Sequence, residues 1–379
     1  MSGIYVHIPF CKSRCVYCDF FSTTRVGMVD TYLDALSLES SLRRDTFHDI
    51  SLPPYDTLYI GGGTPSVLSL NQVERLMSFL RRDYILKEDA EVTMECNPED
   101  VSMEYLLGLK SLGINRLSYG VQTFDEQRLQ FLCRRHDSKK AIDAVEKSRS
   151  VGFENISIDL MFGFPGETLE LWENDIDRAI SLGVPHISAY SLMLEPGTRL
   201  TKMVHDGFLE PLGEESYLLM YELLVEMLTS SGYEHYEISN FSKPGFSSRH
   251  NESYWHGVPY LGLGAGAHSY DGAKVRRWNL SDLDEYIKGL EDSIAYYDDE
   301  LLSDRDLYNE YVMTRLRTSD GISLKEMKEK FPKDYIDTFV DGMQKYISGG
   351  EIIYDGEVAK LSEKGLMLSN YVMSDLFVV

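Results

Sequence analysis

Between residues 4 and 192, short runs of β-branched and aromatic residues alternate with longer stretches whose apolar positions recur at helical spacing. The two-residue alternation predicts six strands, at 4–8, 57–60, 91–95, 116–120, 155–160 and 186–192, each followed by a helix. Six successive βα units predict an α/β fold, a partial (β/α)6 TIM-like barrel. In such a fold the chemistry gathers where the loops leave the C-terminal ends of the strands.

After the sixth strand the pattern changes. Residues 214–231 read as a helix, and 233–270 are rich in Gly, Tyr and His, which reads as loops over a site. From 304 onward three helical patterns precede EIIYDGEVAKLSEKG, which reads as a two-stranded wing. The expected division is a barrel at 1–235, a connecting region at 236–303 covering the site, and a small winged-helix-like α+β domain at 304–379.

Composition narrows the class of protein. Of 379 residues, 43% are hydrophobic and 26% charged, within the usual globular range, and no run approaches the roughly 20 apolar residues of a membrane span. The start MSGIYVHIPF has no basic segment leading into an apolar core, so a cytoplasmic protein beginning here is expected. The net charge of -24 repels phosphate backbones and argues against nucleic acid as a partner. The region 304–379 holds 10 basic and 14 acidic residues, so its winged-helix pattern does not read as a DNA binder.

The five cysteines change the picture most. Cys11, Cys15 and Cys18 crowd into CKSRCVYC directly after the first strand, whereas Cys96 and Cys133 stand alone and read as small buried hydrophobes. A C-x3-C-x2-C loop lets three thiolates converge on one 4Fe-4S cluster and leaves the fourth iron open. The alternatives are three incidental cysteines or a zinc site; zinc wants a fourth Cys or His at short spacing, whereas His7 lies upstream on the first strand. After the second strand, Gly61, Gly62, Gly63 and Thr64 form a loop with little side chain to keep a ligand from the backbone. No GK[ST] follows, so it is not a phosphate loop. Glu95, Gln122, Arg134 and Asp159 are polar residues at or beyond strand ends, suited to hydroxyls, carboxylates and base edges.

The cysteine spacing followed by GGGTP resembles the radical S-adenosylmethionine (SAM) superfamily. That resemblance implies SAM as cofactor, with Tyr17 packed beside its adenine and the glycine loop at its amino group. Tyr5, Glu95, Gln122, Arg134 and Asp159 match the cofactor-contacting positions of the oxygen-independent coproporphyrinogen III dehydrogenase group, and Met193 and His268 align less closely. The segments GVQTFDEQRLQFLCRRHD, IDLMFGFPGET and RHNESYW are similar to the haem chaperones related to that enzyme. Two departures from the dehydrogenase pattern stand out. Phe20 occupies the place of a further cysteine, and ten residues precede Cys11 where the enzyme has a long segment.

The resemblance implies a protein that binds haem and delivers it to apo-proteins such as respiratory enzymes. Peripheral docking on a membrane and a monomer or a dimer are both compatible with it. His250 in HNESYW, with Tyr254 and Trp255 nearby, is the expected haem ligand. The alternatives are an oxidative decarboxylase acting on coproporphyrinogen III, and an iron-sulfur sensor with a winged-helix output.

Overall fold

The computed structural model describes residues 2–44 and 54–378. One 12-stranded sheet dominates. Its strands are β1 (Gly3–Ile8), β2 (Tyr55–Gly62), β3 (Leu86–Cys96), β4 (Arg116–Gln122), β5 (Asn155–Phe162), β6 (His186–Ser191), β7 (Glu234–Glu237), β8 (Asn240–Ser242), β9 (Tyr260–Leu263), β10 (His268–Tyr270), β11 (Val275–Asn279) and β12 (Tyr297–Leu301). Their spatial order is β12-β11-β10-β9-β1-β2-β3-β4-β5-β6-β8-β7. Strands β1 to β6 are parallel and in chain order, as the alternation predicted, and the sheet stays open, as a partial barrel does.

The helices between these strands form for local reasons. Helix Leu70–Asp83 starts at Ser69, whose hydroxyl accepts from the Gln72 amide while the Gln72 side chain accepts from the Ser69 amide. It buries Val73, Leu76, Met77 and Leu80, one stripe at helical spacing. Helices Ser138–Val151 and Leu169–Leu182 stop at Gly152 and Gly183, where φ of 93° and 60° favours glycine.

Each central strand sorts its residues by face. On β4, Leu117, Tyr119 and Val121 are fully buried under the helices, while Arg116, Ser118, Gly120 and Gln122 line the barrel's interior cavity. Tyr59 on β2, Glu95 on β3, Asp159 on β5 and Ser188 on β6 line it too. The lumen is therefore polar, and the apolar core lies between sheet and helices.

The connecting region departs from the expectation of covering loops. Residues 234–301 supply β7 to β12, which extend the sheet past both edges of the six-stranded core. Strand β9 runs parallel beside β1, and β8 antiparallel beside β6. Beyond them, helices Asp304–Leu316, Leu324–Lys330 and Lys333–Gly349 precede a hairpin of Ile352–Tyr354 and Val358–Leu361, which the short strand Ile322–Ser323 completes as a three-stranded sheet. This part has its own apolar core around Tyr308, Phe339 and Met343.

Candidate functional site

The loop after β1 is pinned at its base by the Cys11 amide donating to the Thr23 carbonyl at 2.9 Å and the Thr23 amide donating to the Pro9 carbonyl at 2.6 Å. Between these anchors Cys11, Cys15 and Cys18, all free thiols, reach a cavity of about 450 Å³ that runs from the C-terminal strand ends down the lumen. The Thr64 hydroxyl donates to the Cys11 sulfur at 3.4 Å, and Arg134 Nη1 lies 3.6 Å from the Cys15 sulfur. Burial pushes the Cys11 thiol up from its ordinary pKa, and the Cys18 thiol up to about 11. Ionising them as ligands calls for compensating positive charge, which bound metal provides.

The donor set fits a polynuclear cluster. Cys11, Cys15 and Cys18 line one cavity, three thiols from one loop as such a cluster needs. His7 offers no zinc ligand here: its Nδ1 is 2.9 Å from the Tyr5 hydroxyl and its Nε2 is 2.9 Å from the Phe21 carbonyl oxygen.

The glycine loop lies against the first cysteine. A Cβ on Gly63 would sit 2.9 Å from the Cys11 sulfur, and one on Gly62, at φ 119°, would meet the His7 ring at 2.8 Å. Gly62, Gly63 and Thr64 all line the cavity. The Gly62 amide donates to Glu95 Oε2 at 3.1 Å and the Tyr59 hydroxyl to Glu95 Oε1 at 2.8 Å. Burial raises the Glu95 carboxyl to about 7 in spite of these donors.

Gln122 closes β4 at φ 69°, beside a register shift with β5, and lines the cavity. Gly120 keeps this corner open: a Cβ there would fall 3.0 Å from Gln122 Nε2 and 3.2 Å from Arg134 Nη2. Arg134 is held by Asn97 Oδ1 at 2.7 Å and by the Gly120 carbonyl. Asp159 accepts from the Ser118 hydroxyl at 3.3 Å, and burial raises its carboxyl to about 6. Tyr17 lines the cavity and packs on the small cluster of Val16, Leu132, Met161 and Phe164.

Three expectations need correction or refinement. Tyr5 lies outside the cavity lining, its ring 6.2 Å from Tyr59 and 6.4 Å from His250, which stack on each other at 5.0 Å. His250 is 1% exposed, with Nδ1 2.7 Å from the Thr57 hydroxyl and Nε2 2.9 Å from the Tyr254 hydroxyl. Both nitrogens are engaged, so in this conformation it cannot ligate haem iron. Met193, 63% exposed, lines the cavity mouth, whereas His268 stacks on Trp278 away from it.

Sequence reasoning passed over several lining residues. Asn97 holds Arg134, and Arg116, Ser118 and Ser188 line the deep lumen. Stepping back by two from Gln122 along β4 reaches Ser118 and Arg116, a signal available in the sequence. Cys96 and Cys133 also line the cavity, Cys133 at φ 61°.

Two protein families match separate parts of the chain. Residues 5–179 match the radical SAM superfamily, and residues 302–368 the HemN C-terminal domain. The haem chaperone HemW of Bacillus subtilis is 38% identical, with 98% of each chain covered. The HemW of Lactococcus lactis is 36% identical over 98% of this chain and 96% of that one. The solved structure of coproporphyrinogen III oxidase (HemN) from Escherichia coli superposes with a TM-score of 0.85 at 24% identity, covering 100% of this chain and 90% of the other.

Proposed function

The chain belongs to the HemW family of the radical SAM superfamily, and from that premise we propose that it binds haem and passes it to haem-accepting apo-proteins such as respiratory enzymes. The observation that carries this reading is similarity to HemW proteins along the whole chain, including the C-terminal part. Phe20 supports it. It lines the cavity, 65% exposed, at the position where the dehydrogenase pattern has cysteine.

Each site residue has a task in this proposal. Cys11, Cys15 and Cys18 are the cluster ligands, and Arg134 offsets negative charge beside Cys15. When bound, a cluster with one open iron supplies a site for SAM and a one-electron donor. Gly62 and Gly63 let the cofactor's polar end approach the backbone, and Thr64 steadies Cys11. Glu95, Gln122 and Asp159 offer acceptors and a donor to ribose and adenine, and Tyr17 an aromatic face. The reducing cytoplasm, which keeps thiols free, is the proposed compartment.

The test is anaerobic. Protein with a reconstituted cluster and SAM is given haem or coproporphyrinogen III in separate experiments. A Soret band saturating at stoichiometric haem, transfer of that haem to an apo-cytochrome, and no decarboxylated product are expected. Decarboxylation with SAM turnover would overturn the chaperone reading in favour of the dehydrogenase. Replacing Cys11, Cys15 or Cys18 with Ser should abolish the cluster's visible absorbance.

A further inference from the structure

Deep in the cavity lies a guanidinium without a direct partner. Arg116 opens β4, six residues before Gln122, a separation of about 20 Å along a strand. It is 1% exposed and lines the cavity. Among the described residues its side chain forms no ion pair or hydrogen bond, and its Nε is buried with no acceptor.

Among the described residues, the lumen offers this charge no carboxylate within ion-pair distance. Glu95 and Asp159 line the same cavity, and the field of Arg116 lowers their proton affinity. Burial outweighs that field and holds both above the ordinary carboxylate range, at about 7 and about 6. A cation withdrawn from water is costly unless a close counter-charge completes it. A guanidinium fork is completed best by a carboxylate, which accepts two parallel N–H bonds.

We propose that Arg116 is the seat for the carboxylate of a ligand that enters the barrel from the cysteine-lined end. The proposal rests on the function set out above, in which haem brings carboxylates in its two propionates, while the amino-acid end of SAM stays with the cysteine and glycine loops. The chemistry is a bidentate carboxylate–guanidinium pair at the lumen floor. Asp159 and Glu95 on the neighbouring strands then bias the site against a second anion.

The experiment uses the full chain with its cluster reconstituted. Haem and haem dimethyl ester are titrated into the parent, R116K and R116M, with SAM as a control expected to bind all three alike. Removing a charged, hydrogen-bonded pair predicts roughly 10-fold to 100-fold weaker binding of haem to R116M, with a smaller loss for R116K. The ester should bind the parent as weakly as haem binds R116M, and should bind R116M no worse than the parent. Two results overturn the proposal: R116M binding haem within twofold of the parent, or, with no variant needed, the parent binding the ester as tightly as haem. Failure of the parent to bind haem at all would refute the chaperone reading, and this seat for haem with it.

Discussion

A methyl group on residue 63 would sit 2.9 Å from the Cys11 sulfur and 3.0 Å from the Phe10 carbonyl oxygen. Neither neighbour is the loose end of a long side chain, so the loop after β1 has to move. We expect Gly63→Ala to fold and to show a severalfold lower iron and sulfide content per chain after reconstitution; equal content would show that the loop yields without cost. Glu95 gives a prediction in pH. Its folded carboxyl is raised to about 7, above the value of about 4.5 for a free glutamate, so the folded state holds a proton that the unfolded chain has released. Stability from this residue is therefore present below about 4.5 and lost as pH rises to about 7. Glu95→Gln should gain on the parent across that window by on the order of 1–3 kcal/mol, measured by urea denaturation of the cluster-free protein, with no further change above it. At this scale residue type was legible and environment was not. The cysteine spacing and GGGTP could be read because their chemistry depends on adjacent positions. Whether His250 had a ring nitrogen to offer depended on Thr57 and Tyr254, and the first of these is remote in sequence.

Among elements, one buried arginine ties three pieces of the barrel mouth together. Arg128, in helix Glu126–Phe131, pairs with Glu167 and with Asp175, the latter at 3.0 Å. Glu167 accepts from the Gly163 and Phe164 amides, and Asp175 from the Thr123 hydroxyl and the Phe124 amide. The loops after β4 and β5 and helix Leu169–Leu182 are thus joined, and Phe164 carries the link to Val16 and Tyr17 in the cysteine loop. Burial raises Glu167 to about 7 even with Arg128 lowering it, so without the arginine both carboxylates would be left uncompensated. Arg128→Met should cost about 3–5 kcal/mol in chemical denaturation and speed amide exchange in residues 13–20. An unchanged exchange rate there would mean that the network stabilises the barrel without holding the cysteine loop. The six parallel strands were legible because each carries a two-residue alternation bounded by a helical stretch. Strands β7 to β12 were not, since most are runs of three to five residues between glycines, too short for a period to show. Their partners are set by the sheet edges they join.

For the molecule as a whole, the segment read as a haem-binding motif is a strut. Helix Arg249–Trp255 puts His250 against the floor of the lumen at one end. At the other, Trp255 lies under the Arg317 guanidinium at 4.7 Å, and His256 is 3.1 Å from Asp320. Arg317 also reaches Glu237 at 3.5 Å, so the C-terminal part meets both this helix and the edge strand β7. This short helix thus touches the barrel at one end and the C-terminal part at the other, through side-chain contacts at both. Replacing His250 with Gln separates the two roles given to it. As a strut, His250 leaves the Thr57 and Tyr254 hydroxyls short of a partner when removed, a loss of about 1–3 kcal/mol. Burial, with the field of Arg116 adding to it, lowers its pKa to about 3. The unfolded chain thus takes up a proton first as pH falls, and stability from this residue, complete above about 6.5, is lost as pH falls from there toward 3. His250→Gln should therefore be less stable than the parent at pH 8 but lose less stability on acidification, while its Soret band with haem stays where the parent's lies. A displaced or missing Soret band at unchanged fold would instead make His250 an iron ligand, in a conformation where it has let go of Thr57 or Tyr254.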